Sequence, residues 1–228
     1  MVYNMSDTSI WNNDNLKEKN NYRFFPSDMV LRSVFSDKYF NSKNIKNNGK
    51  VLDIGCLYAN NLVPFYDRGW ELFGTEVTEE SVEIAKSCCK RDNLDSDIKL
   101  GFNTDIPFED NFFDVILSIS TLHYEESIES INKALKEFNR VLNINGSAIV
   151  QTVAPLHDIF KNSKHLGNHL YKLNLEEDLR HNQKFVFFQD SNDFVKLARQ
   201  YFSSVEVARS TETYPNHCID VWLFKLTK

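Results

Sequence analysis

Two carboxylates and a glycine stand at the ends of consecutive apolar runs. Asp53 and Gly55 lie in Lys50-Val-Leu-Asp-Ile-Gly-Cys-Leu-Tyr-Ala-Asn-Asn61, and Glu76 closes Trp70-Glu-Leu-Phe-Gly-Thr-Glu-Val77. Glu76 suits a ribose diol, and Gly55 permits a ligand to approach the backbone closely. A third position is His123 in Ser118-Ile-Ser-Thr-Leu-His-Tyr124. An imidazole titrates near neutrality, which makes it the best general-base candidate in the chain, set against the plainer reading of a pocket-lining or structural histidine. His165 and His169 have a spacing that can serve a metal, but no carboxylate or cysteine joins them, and a solvated helix face explains the pair more simply. No metal site is expected.

The elements that must position these groups alternate regularly. Val51, Leu52 and Ile54 read as a strand buried on both faces, which belongs in a parallel sheet covered by helices. Ligands bind at the carboxyl ends of such strands, where strand order reverses. Asn60 can cap a helix through Leu62, Val63, Phe65 and Tyr66. Further strands are expected over 70–77, 97–102, 112–120 and 147–153, with helices to Lys90 from a Thr78 cap and over 125–141. A helix over 190–201 and strands over 204–210 and 217–226 close the chain. Residues 155–187 break the pattern as a helical, histidine-rich excursion, expected to complete a substrate pocket with His157. No internal repeat is present.

A chain of 228 residues can form one α/β domain burying about 70% of its unfolded surface without disulfides. The four cysteines show no metal or redox spacing, and a reducing cytoplasm is the expected setting. A net charge of −6 argues against a broad phosphate-binding face, so no nucleic-acid partner is expected. No apolar run reaches a membrane span, and oligomeric state is not readable. Residues 1–21 are polar, with Trp11 the exception; Tyr22-Arg-Phe-Phe-Pro-Ser-Asp28 then leads into a helix carrying Val30, Leu31, Val34 and Phe35.

These blocks resemble the class I S-adenosylmethionine (SAM) dependent methyltransferases, of the small-molecule, type 11-like kind. Beyond the two strand ends, Asp105-Ile-Pro-Phe-Glu-Asp-Asn-Phe-Phe-Asp-Val-Ile-Leu-Ser118 is similar to the block leading into the family's fourth strand. Glu137-Phe-Asn-Arg-Val-Leu-Asn-Ile-Asn-Gly146 is similar to the turn before its fifth. The resemblance implies a doubly wound, Rossmann-like, seven-stranded, mostly parallel sheet with an antiparallel last strand. Residues 1–228 would form one domain, with an N-terminal helical lid over 1–48 and a helical cap insertion over 155–187. It implies SAM as cofactor, held by Asp53, Gly55, Cys56, Asn60, Asn61, Glu76, Val77, Phe102, Asn103, Thr104 and Ser118. The methyl acceptor, a small polar metabolite reacting at oxygen or nitrogen, would meet Tyr22, Arg23, Phe24, Tyr124 and His157, with His123 facing the methyl group.

The sequence departs from the family in two places. Leu57 and Ala59 stand where the glycine loop has its second and third glycines, so a turn needing positive φ there would be strained. Phe102 replaces the acid usual before the "LPF" block, which leaves adenine to Phe102, Asn103 and backbone groups. The alternatives are a SAM-fold binding or regulatory protein with weakened catalysis, and a nucleotide-dependent dehydrogenase, for which two of three fingerprint glycines are missing.

Overall fold

The computed structural model describes residues 24–41, 45 and 48–228; Tyr22 and Arg23 lie outside them. The first five strands are β1 (Lys50–Ile54), β2 (Glu71–Glu76), β3 (Ser96–Leu100), β4 (Phe113–Ile119) and β5 (Leu142–Val153). After a small excursion with three short strands of its own come β9 (Ser204–Tyr214) and β10 (His217–Thr227). The main sheet has the order β3-β2-β1-β4-β5-β10-β9. Strands β1 to β5 run parallel, while β10 is antiparallel to both β5 and β9. Strand order reverses between β1 and β4, so their carboxyl ends flank a crevice.

Alternate side chains of the central strands feed two cores. Leu52, Ile54 and Ile116 pack under α4 (Ile128–Val141) and α6 (Ser191–Ala198) through Ile131, Phe138 and Phe194. Val51, Val115 and Leu117 pack on the other face, with Val30 and Val34 of α1 (Asp28–Phe35) and Val82 and Cys89 of α3 (Glu79–Arg91). Each large apolar side chain buried this way contributes about 1.5–3 kcal/mol. The expected Thr78 cap forms: Thr78 Oγ1 accepts the Ser81 N–H at 3.1 Å and Ser81 Oγ accepts the Thr78 N–H at 3.3 Å.

The two family-like blocks prove to be one brace. Arg140 on α4 donates to both oxygens of Glu137 at 2.8 Å and to the carbonyls of Ile106 and Phe108, while the Ile106 N–H donates to Glu137. The loop before β4 is thereby fastened to the helix that follows β4.

The excursion after β5 is not the helical cap expected. It holds one turn of helix, α5 (Asp158–Lys161), and a separate antiparallel sheet of β6 (Ser163–Gly167), β7 (Leu170–Leu173) and β8 (Lys184–Val186). Its own core of Ile159, Tyr171, Leu173, Phe185 and Phe187 extends from Val153. His165 lies on β6 and His169 in the left-handed turn to β7, so helical spacing does not relate them. Among the described residues, no group of three His, Cys, Asp or Glu is placed to hold a metal, and no helix is long and apolar enough to cross a membrane.

Candidate functional site

The turn after β1 adopts positive φ at Gly55, Leu57 and Ala59, although two of these three positions are not glycine. Gly55 has φ +68°, and Leu57 and Ala59 also adopt positive φ, 36° and 55°. Non-glycine residues held there store strain, and such strain concentrates at functional sites. Two hydrogen-bonding groups hold the turn in place. The Leu57 N–H donates to Glu76 Oε1 at 2.6 Å, and the Gly55 N–H donates to the Thr75 carbonyl at 2.8 Å. A Cβ on Gly55 would come within 2.6 Å of Thr121 Cγ2, so the Ser118–Tyr124 loop packs directly on the turn.

Asp53 is 1% exposed, bonded to the Asn61 amide, and its Oδ2 has no partner. Burial, reinforced by the nearby Glu76 carboxylate, pushes its pKa up to about 8, against the pull of Asn61. Glu76 is raised as well by burial, opposed by its hydrogen bonds with Leu57, Ser81 and Val77. Asn61 Oδ1 accepts the Ser27 N–H at 3.0 Å, and Asn60 donates to the Phe25 carbonyl at 2.9 Å. Asn60 does not cap a helix as expected; left-handed Ala59 begins a turn of 3₁₀ helix over Asn60–Leu62 that runs into α2 (Val63–Tyr66). Phe24 stacks on Tyr58 at 4.3 Å, so the segment before α1 lies across this turn.

The remaining expected cofactor residues divide. Asn103 is buried, donates Nδ2 to Glu125 Oε1 at 3.0 Å and leaves Oδ1 without a partner. Phe102 forms a bridge with Asp105, and half-buried Thr104 lies between them. Cys56 turns its thiol into the core against Gly74, where an added Cβ would meet Sγ at 2.6 Å. Ser118 is fully buried and its hydroxyl is shared with Thr121 at 2.8 Å.

Beyond the crevice lies a cavity of about 770 Å³ between the ends of β4, β5 and β10, α5 and the loop from β7 to β8. His123, Tyr124 and His157 all line it. So do Gln151, Arg180 and His217, which sequence reasoning missed; Gln151, a lone amide in the apolar run of β5, was the one readable signal. His123 is 3% exposed, packed among the tilted rings of Tyr124, Phe185 and Phe187, with Nδ1 unpartnered. Burial first, then Arg180 and His157, lowers its pKa to about 3. The imidazole is therefore neutral at physiological pH and a weak base. His157 accepts the Ile159 N–H on Nδ1 at 3.2 Å, capping α5, and burial lowers its pKa too.

A family model described as the methyltransferase domain matches residues 52–150, from β1 to β5. Over that stretch the chain is similar to SAM-dependent methyltransferases. It is 30% identical over 122 residues to a sterol 4-C-methyltransferase of Caenorhabditis elegans, covering 53% of this chain and 36% of that protein. It is 27% identical over 146 residues to a ubiquinone biosynthesis O-methyltransferase of Pelagibacter ubique, covering 63% and 59%. The chain thus spans less than two thirds of either relative's length. Among solved structures, a SAM-dependent methyltransferase from Methanosarcina mazei superposes with TM-score 0.65 over 90% of this chain and 99% of that one, at 14% identity. That likeness concerns the fold.

The residues suit the cofactor that this family uses. SAM carries a sulfonium, an amino group and ribose hydroxyls, and the turn offers two buried acidic side chains, Asp53 and Glu76, with Asp53 Oδ2 and Asn103 Oδ1 unpartnered. Leu57 and Asn60 stand where a dinucleotide fingerprint has its second and third glycines, which disfavours the dehydrogenase reading.

Proposed function

We propose that this domain transfers a methyl group from SAM to an oxygen or nitrogen of a small polar metabolite. The observation that carries the reading is the loop Ser118–Tyr124, which serves two places at once. Thr121 packs on Gly55 at the acid-lined turn, while Ser120 and His123 line the neighbouring cavity. A cofactor at the first place and an acceptor in the second are one loop apart.

SAM, when bound, supplies a methyl group on a positively charged sulfur. Asp53, Asn61, Glu76 and Asn103 are the side chains that would hold it, with backbone groups of the Gly55 turn. Phe24 to Phe35 would close over that end as a lid, and the 155–187 excursion would complete the acceptor pocket. Alignment and exclusion of water can supply about 7–11 kcal/mol of such a barrier, so few side chains need act directly. His123, neutral and weakly basic, would accept a hydrogen bond from the acceptor's O–H or N–H and so orient its lone pair. The acidic chain and the polar cavity favour a small-molecule partner over nucleic acid.

A second reading, a domain that binds the cofactor without turnover, is favoured by the weak basicity of His123. Incubation with methyl-labelled SAM and a panel of hydroxyl and amine acceptors separates the two. Label transfer with release of S-adenosylhomocysteine supports the first; binding of SAM with no transfer to any acceptor supports the second.

A further inference from the structure

The cavity's charges are unevenly matched. Three carboxylates, Asp158, Glu177 and Asp178, face one guanidinium, Arg180. Arg180 is already committed: Nε and Nη2 grip Asp178 at 2.8 and 2.6 Å, and the group also bonds the Tyr124 side chain. The His217 ring sits 2.6 Å from Asp158 Oδ2. His123 and His157 are driven toward their neutral forms by burial. No cation on the lining is therefore left to meet a carboxylate or phosphate, and a buried anion without a partner is strongly disfavoured.

The unsatisfied polar atoms point the same way. Gln151 donates Nε2 to Ser120 Oγ at 3.0 Å, which leaves its Oε1 as a buried acceptor with no partner. His123 Nδ1 is likewise buried and unpartnered, on a ring whose neutral form has one acceptor nitrogen. Glu177 adds an exposed carboxylate to the lining. Glu177 is the exposed group of this set, and a ligand that meets it brings hydrogen-bond donors and neutral or positive charge.

We infer that the cavity binds an amine, and discriminates against carboxylate and phosphate compounds of the same size. This rests on the cavity being the acceptor pocket of the methyltransferase reading, yet binding is measurable without cofactor. The probes are tyramine and 4-hydroxyphenylacetate, matched in ring and length and opposite in charge, titrated calorimetrically into the full chain. S-adenosylhomocysteine is titrated separately, so that a failure there and a failure here stay distinct. Tyramine should bind at least about tenfold more tightly than the acid. Glu177→Gln, an exposed change that leaves the fold intact, should narrow that preference about two- to fivefold, the range of a partly exposed charge pair. His123→Phe should weaken tyramine further. Equal affinity, tighter binding of the acid, or no binding of either at millimolar concentration overturns the inference. So does tyramine binding that neither substitution alters, which would place it outside the cavity.

Discussion

Glu76 Oε1 accepts the backbone N–H of Leu57 at 2.6 Å, so the acid at the end of β2 holds the strained turn at the end of β1. The bond explains how the turn holds Leu57 and Ala59 at φ 36° and 55°. A charge-assisted hydrogen bond to a buried carboxylate is among the stronger polar interactions in proteins, on the order of the strain it opposes.

Ala59 is fully buried at positive φ, so shape and backbone both restrict it. Ala59→Gly should change stability by less than about 1 kcal/mol, because relief of strain offsets the added chain entropy. Ala59→Val should lose more than about 2 kcal/mol, since a β-branched residue fits neither the φ nor the space. Urea denaturation of the two variants is the check, and similar losses in both would remove strain as the explanation.

The Asp53 pKa near 8 lies far above its unfolded value, so the folded protein holds a proton that the unfolded chain releases. The contribution is present at low pH and is lost as pH rises from about 4 through about 8. Stability of the cofactor-free protein should fall by on the order of 1 kcal/mol per pH unit in that window from this group alone. Asp53→Asn should flatten the slope. A wild-type protein whose stability rises steadily from pH 5 to 8, with no change in slope in Asp53→Asn, would contradict the assignment.

For His123 the sign is reversed. Its folded pKa near 3 lies below the unfolded value, so its contribution is lost as pH falls below about 6.5. Between pH 8 and 5 the folded imidazole should stay neutral, and any turnover should show no dependence on its titration. Nuclear magnetic resonance of the His123 ring resolves this; a midpoint near 6.5 would show a solvated histidine instead.

Arg140→Met should lower stability by about 2–3 kcal/mol by stranding Glu137 and the carbonyls of Ile106 and Phe108. Chemical denaturation measures it. A loss under about 0.5 kcal/mol would mean the brace is an incidental surface contact.

The alternation of strand and helix was legible because both cores are continuous: Val51, Leu52 and Ile54 can only be buried on both faces. The small sheet was not. Four of the five β6 residues are exposed, so the strand carries no alternating pattern, and β7 has only four residues in which to show one. Among the candidate site residues, Asp53 and Glu76 stand out in the sequence because they lie at the ends of apolar strand runs, and His123 because it follows β4. Glu125, Arg180 and His217 do not, since topology alone brings them beside Asn103, Tyr124 and Asp158. The loop geometry at Leu57 and Ala59 was undecidable from residue type, because a side-chain partner on another strand, Glu76, settles it.

The most direct test of the account is calorimetric titration of S-adenosylhomocysteine into the wild-type chain and Glu76→Gln, with folding of both verified by circular dichroism. The account predicts single-site binding to the wild type, and about ten- to hundredfold weaker binding to the variant, the equivalent of about 1.5–3 kcal/mol for a lost charge-assisted pair. No binding to the folded wild type, or equal affinity in the two proteins, would contradict it.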